Sequence, residues 1–138
     1  MADTITRVDH YTLKLRDRAG EGAKVLGALK SGRVDLIALW GYPVGPGQAR
    51  LELIPKSGAA LQRAARKGKL KISAKETAFL VQGKDRPGAV QQAMSKLAAA
   101  GINVHAVQAV CGGAGRYGAL IYLAKDDVRK AAKTLGAK

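Results

Sequence analysis

The chain has 138 residues and a net charge of +14, with 24 Lys and Arg against ten Asp and Glu, and 47% of its residues are apolar. That length suits one domain of about 150 residues or two small ones sharing a core, and the apolar share excludes a disordered basic tail. The single cysteine, Cys111, excludes a disulfide framework or a thiolate metal cluster and fits a reducing compartment.

The first residues contain no apolar signal region, and no run of about 18 apolar residues occurs anywhere, so a cytoplasmic location without a membrane span is expected. The charge is spread evenly. Residues 1–69 carry 13 basic and six acidic groups, residues 70–138 carry 11 and four, and each part has a net of +7. The densest stretch holds Arg63, Arg66, Lys67, Lys69, Lys71 and Lys75. It reads either as a solvated basic surface or as a face for an anionic partner.

Displaced by 68 residues, the chain aligns with itself. YTLKLRDRAGEGAKVLGALKSGRVDLIAL from Tyr11 falls on FLVQGKDRPGAVQQAMSKLAAAGINVHAV from Phe79 without a gap. In the first copy a strand begins at Tyr11, and Gly22, Val25, Leu26 and Leu29 form the apolar stripe of a helix. A strand follows Val34-Asp35-Leu36, glycines and prolines turn the chain over residues 41–47, and a further strand covers residues 51–56. Ala60, Leu61, Ala64 and Ala65 mark a second helix, and Leu70–Ala74 is expected to be a fourth strand.

The second copy opens with a strand over Phe79–Gly83. Pro87 stands where a helix can begin, because its missing N–H costs nothing in the first turn. Val90, Ala93, Met94 and Leu97 line one face of that helix, and Gly101 ends it as a C′ glycine. Ile102–Val110 is the next strand, Gly118–Ala124 pairs back onto it, and Val128, Ala131, Ala132 and Leu135 mark the last helix. With that helix running to residue 135, the second copy is expected to take its fourth strand from elsewhere. Thr4–Val8 lies in the register of residues 72–76 and is expected to complete the second sheet, from its own chain or swapped from a partner. The expected fold is therefore α+β: two tandem ferredoxin-like (βαββαβ) modules, residues 9–76 and 77–138, each an antiparallel sheet with helices on one face.

Several motifs that suggest chemistry have plainer readings. Gly113-Ala-Gly115-Arg-Tyr-Gly118 matches G-x-G-x-x-G, but a strand rather than a helix follows it, so a hairpin loop is expected. His10 and His105 lack ligand partners at metal spacing, Cys111 lacks a neighbouring base and reads as a small buried thiol, and no catalytic triad or carboxylate pair stands out. The expectation is a protein without catalysis, metal or cofactor.

Asp85-Arg86-Pro87-Gly88, the amphipathic helix and Gly101-Ile102-Asn103-Val104 together resemble the ACT domain, whose run is an apolar strand, D-x-P-G, a helix, then G-I-N-I. The likeness is clear over residues 77–124. It extends more weakly to the first copy, where Ala19 replaces the proline and Val34-Asp35 replaces Ile-Asn. The resemblance implies a small-molecule sensor, most often of an amino acid, whose modules pair side by side with effectors at their interface. Edge strands left exposed when the two modules pair suggest a dimer, and the resemblance implies a regulated enzyme or transcription factor as partner; no catalytic domain is expected beside either copy, so the chain is expected to act alone or as a subunit.

The residues give that a physical basis. A helix N-terminus after a turn presents free N–H groups suited to a carboxylate. Asp85, Arg86, Pro87, Gly88, Ala89 and Val90 form one such cradle, and Asp17, Ala19 and Gly20 its counterpart. Asn103 and its equivalent Asp35 would accept from an ammonium group. The plainer reading is that Pro87 and Gly88 start a helix and Asn103 tightens a turn. The alternative function is a basic plait-fold protein binding RNA or another polyanion. Gly115–Tyr122 meets four of the eight positions of the RNA-recognition third strand, lacking its basic start and placing Ala119 where a stacking aromatic belongs.

Overall fold

Residues alternating along strands and recurring at helical spacing produce an α+β fold of six antiparallel strands and four helices. The computed structural model describes residues 3–138. By contacts the chain divides into two compact units: Asp9–Glu76, and Thr77–Lys138 together with the described residues up to Val8.

In the unit Asp9–Glu76, the later part of β1 (Thr4–Arg16) is followed by α1 (Glu21–Ser31), β2 (Leu36–Gly45), β3 (Gln48–Pro55) and α2 (Gly58–Lys67). The strand order is β2-β3-β1, with Tyr11 opposite Leu53 and Leu13 opposite Leu51. A period of two puts these four side chains on one face. There they pack against Val25 and Leu29 of α1 and Leu61 and Ala64 of α2. Leu70–Ala74 does not form the expected strand. Ile72 makes one antiparallel bridge to Leu13, and the Ser73 N–H donates to the Thr12 carbonyl. The ladder stops because the Ser73 hydroxyl oxygen, not a backbone carbonyl, accepts the Thr12 N–H.

The other unit contains β4 (Glu76–Lys84), α3 (Gln91–Ala99), β5 (Val104–Gly113), β6 (Arg116–Leu123) and α4 (Val128–Leu135). The start of β1, Thr4–Val8, lies beside β4 in the order β1-β4-β6-β5. The Arg7 N–H donates to the Lys138 carbonyl at 3.1 Å, and the Lys138 N–H to the Ile5 carbonyl at 3.0 Å. Phe79, Val81 and Ile121 of the sheet pack with Leu97, Ala131 and Leu135 of the helices.

All four helices end in the same way. The Ile102 N–H donates to the Leu97 carbonyl and the Gly101 N–H to that of Ala98, the paired bonds of a Schellman motif with Gly101 left-handed at φ 74°. Gly136 serves α4 likewise at φ 68°. In α1 and α2, however, the left-handed residues are Arg33 and Lys69, at φ 55° and 56°, and each glycine stands one position earlier. Space explains this displacement: a Cβ on Gly32, at the end of α1, would lie 2.5 Å from the Ala64 Cβ of α2, and one on Gly68, at the end of α2, would lie 3.4 Å from the Ala28 Cβ of α1. Close approach of α1 and α2 claims the glycines.

Two expected boundaries move. Helix α3 begins at Gln91 rather than Pro87, because Gly88 is left-handed at φ 75° and the Gln91 N–H turns back to the Gly88 carbonyl. Strand β5 begins at Val104, because Ile102 is held by the cap of α3.

Candidate functional site

β4 ends at Lys84, where the Asp85 N–H donates to the Gly115 carbonyl at 2.8 Å and the chain turns through Arg86–Val90 into α3. The turn uses two of its own amides: the Ala89 N–H donates to the Arg86 carbonyl and the Gln91 N–H to that of Gly88. No side chain caps α3. Arg86 is anchored from two sides. Its guanidinium donates to the Lys84 carbonyl at 2.8 Å and, through two nitrogens, to both carboxylate oxygens of Asp3 at 3.2 Å each. It also lies 6.0 Å from the centre of the Tyr117 ring.

Asp3 is the hub of this cluster. The Tyr117 hydroxyl donates to Asp3 Oδ2 at 2.7 Å. The hydrogen bond from Arg86 holds the Asp3 carboxyl below its usual range against the opposing effect of burial. Burial, and next the Asp3 carboxylate, push the Tyr117 phenol up to about 12. Gly83 makes room for the carboxylate, since a Cβ there would overlap Asp3 Oδ1.

Beside the cluster opens a cleft of about 500 Å³. Asp3, Lys84, Arg86 and Lys96 stand on its walls, with Ile5 and Leu135 as apolar lining. Among the described residues Lys84 and Lys96 have no ion-pair partner. Three cations against one carboxylate, itself held by Arg86 and Tyr117, leave the cleft positive, with Lys84 and Lys96 as donors for a carboxylate.

Of the residues singled out in the sequence, Arg86 lines this cleft, Val90 is half-buried and Ala89 is buried. Pro87 and Gly88 are exposed in the turn, and so is Asp85, whose carboxylate raises the pKa of the Cys111 thiol. Asn103 is elsewhere. Lys84 pairs with Arg116 at one end of β6, whereas Val104 pairs with Leu123 at the other. The eight residues of β6 span roughly 24 Å, so Asn103 and the turn cannot grip one small zwitterion within this unit. The first copy shows the same separation. Asp17, Ala19 and Gly20 are exposed where the Asp17 N–H donates to the Gly47 carbonyl, while Asp35 lies at the far end of β3. The Asp35 carboxylate is already occupied by Lys56 at 2.9 Å, and Lys56 lowers its pKa.

Sequence reasoning missed Asp3, Lys84 and Lys96. The available signal was Gly83, a glycine inside a strand, which marks the close approach of another group. It also missed a buried cluster in the unit Asp9–Glu76. Glu52 accepts from His10 Nε2 and Thr12 Oγ1 at 2.6 Å and from the Tyr42 hydroxyl at 2.5 Å, and His10 stacks on Trp40 with ring centres 5.9 Å apart. Burial raises the Glu52 pKa, but these three donors outweigh it and hold it at about 2. Cys111 is exposed rather than buried. The G-x-G-x-x-G stretch lies in the β5–β6 hairpin, with Gly113, Ala114 and Gly115 at positive φ. Phe79 and Tyr117, the two rings an RNA platform would use, sit in the core. Among the described residues no three His, Cys, Asp or Glu side chains cluster as metal ligands, and no helix is long and apolar enough to cross a membrane.

These elements form an ACT-like α+β fold. No protein-family model matches the chain and no curated protein matches it in sequence. Solved structures match in fold. The protein BT0572 from Bacteroides thetaiotaomicron aligns at a TM-score of 0.81 and 15% identity, over 96% of this chain and 88% of that one. The ligand-free regulatory subunit of aspartate kinase from Thermus thermophilus aligns at 0.64 and 14%, over 99% and 95%. The C-terminal regulatory domain of aspartate kinase assigned in Porphyromonas gingivalis aligns at 0.58 and 12%, over 97% and 94%.

Proposed function

We propose that this protein is a tandem ACT-type regulator, two modules in one chain that each follow the order βαββα, and that it binds an amino acid in the cleft beside Arg86. The observation that carries this reading is the cleft itself: Lys84 and Lys96, which have no ion-pair partner among the described residues, offer cations to a carboxylate beside the paired Arg86 and Asp3. The apolar lining from Ile5 and Leu135 gives a side chain something to pack on. Likeness in fold to regulatory subunits of aspartate kinase supports the same role. The first copy lacks the proline and has its Asp35 carboxylate occupied, so in this reading it is a structural partner.

The protein then has no catalytic activity and acts in the cytoplasm on a regulated enzyme. Edge strands β2 and β5 expose Ile37, Leu39, Val107 and Val110, which supports pairing with a second copy. The test is thermal unfolding at fixed salt with each of the twenty amino acids and, separately, a short RNA. A ligand at 100 times its dissociation constant adds about 2.7 kcal/mol, a midpoint rise of several degrees. A rise with one or two amino acids, lost in the double variant Lys84→Gln/Lys96→Gln, is expected. A rise with RNA alone overturns the reading.

A further inference from the structure

The unit Asp9–Glu76 carries a second concentration of charge, on the sheet face away from its helices. Leu13 and Leu51 face the helices, so Lys14 and Arg50, their neighbours along β1 and β3, point the other way. Lys14 and Arg50 stand directly opposite each other across the strand pair, an arrangement that destabilises a sheet when the charges are alike. Arg16 follows on the same face, and Lys71 approaches from the segment that bridges to Leu13. Two clefts, of about 540 and 500 Å³, share Lys14 and Arg50 in their walls; the first adds Lys71 and Glu76, the second Arg16 and Gln48.

None of the four cations has an ion-pair partner among the described residues. The nearby carboxylate of Glu52 is committed to His10, Thr12 and Tyr42. The Nε of Arg50 is buried with no hydrogen-bond partner, which a polar group in a folded protein rarely tolerates. Like charges brought face to face with an orphaned guanidinium nitrogen are relieved by an anion lying over them. The ligand must be rich in acceptors and carry more than one negative charge, since four cations stand on the walls against the single carboxylate of Glu76. Guanidinium forks match phosphoryl oxygens in geometry.

We infer that the Lys14–Arg50 face binds a small molecule carrying two or more linked phosphoryl groups. This site is separate from the cleft beside Arg86 and does not depend on it. Its test is isothermal titration of the full chain with inorganic tripolyphosphate, a nucleoside triphosphate and a short single-stranded RNA. Tripolyphosphate binds with one molecule per chain, and Lys14→Gln weakens it about tenfold. Lys14→Gln/Lys71→Gln weakens it further. Without ligand, Lys14→Gln unfolds at a higher temperature than the parent, because the opposed charges are gone.

Arg63→Gln/Lys67→Gln removes equal charge from exposed positions on α2 and leaves binding unchanged. Lys84→Gln/Lys96→Gln leaves it unchanged as well, which keeps this proposal distinguishable from the amino-acid cleft. A nucleoside triphosphate that binds tenfold more tightly than tripolyphosphate identifies a nucleotide as the source of the phosphoryl groups; equal binding identifies the oligophosphate itself. The inference is overturned if tripolyphosphate does not bind, if the α2 variant loses as much affinity as the Lys14 variants, or if RNA alone binds.

Discussion

Asp3 and Arg86 are 83 residues apart and meet through two parallel hydrogen bonds of 3.2 Å, one to each carboxylate oxygen. The pair ties the start of β1 to the turn between β4 and α3, and Tyr117 of β6 joins it through its hydroxyl. The contact exists because Gly83 has no side chain where the carboxylate passes. Gly83→Ala is therefore expected to destabilise the protein by about 1–3 kcal/mol, the usual cost of forcing a methyl group into filled space. Asp3→Asn, which keeps the shape and removes the charge, should destabilise less. Urea denaturation of both variants checks the order.

The left-handed Arg33 and Lys69 at the ends of α1 and α2 offer the opposite test. An L-residue with a side chain pays roughly 1–2 kcal/mol in that conformation, while glycine pays only its larger unfolded entropy. Arg33→Gly should therefore stabilise by up to about 1 kcal/mol, seen as a raised midpoint in thermal unfolding. Gly32→Ala, one residue earlier, should do the reverse, since its Cβ would meet Ala64 at 2.5 Å.

Glu52 predicts an acid response with a definite sign. Its carboxyl has a pKa of about 2 in the folded state against 4.5 for the free side chain. A depressed pKa contributes stability that is present above 4.5 and lost as pH falls toward 2, here about 3 kcal/mol. Glu52→Gln should remove much of the slope of stability against pH between those values. At the alkaline end Tyr117 acts in the reverse sense: with its pKa at about 12, its contribution is present below pH 10 and lost as pH rises through 12.

Cys111 is exposed, yet the Asp85 carboxylate, accepting from the thiol and repelling the thiolate, raises its pKa. Alkylation by iodoacetamide near neutral pH should be slower than for an unstructured cysteine peptide, because the thiolate is the reacting form. Asp85→Asn should speed it several-fold. Equal rates in parent and variant would show that the carboxylate does not reach the sulfur in solution.

Much of the architecture was legible because it follows from local rules. The 68-residue repeat announced a doubled order of strands and helices, and Leu29, Leu61, Leu97 and Leu135 were readable as core from spacing alone. Gly101 was recognisable as a helix end, since only a left-handed residue closes that cap cheaply. The start of α3 was misjudged because Pro87 permits a helix, whereas the left-handed Gly88 forbids one until Gln91. Leu70–Ala74 has strand composition, but a serine hydroxyl claims the amide that a ladder would have used.

The candidate site was legible only in part. The turn at Arg86 was marked by its own residues. Asn103 stands with it in the D-x-P-G … G-I-N-I run that the chain resembles, but eight residues of strand hold the two apart. Asp3, Lys84 and Lys96 carry no motif. Periodicity, caps and turn residues are properties of neighbouring positions, so the sequence by itself determined the fold class, the doubled element order and the buried faces of the helices. Which distant charges converge depends on strand register and on space between backbones. Only the tertiary structure decided that Asp3 meets Arg86, that Lys14 faces Arg50, and that Glu52 is buried among its three donors.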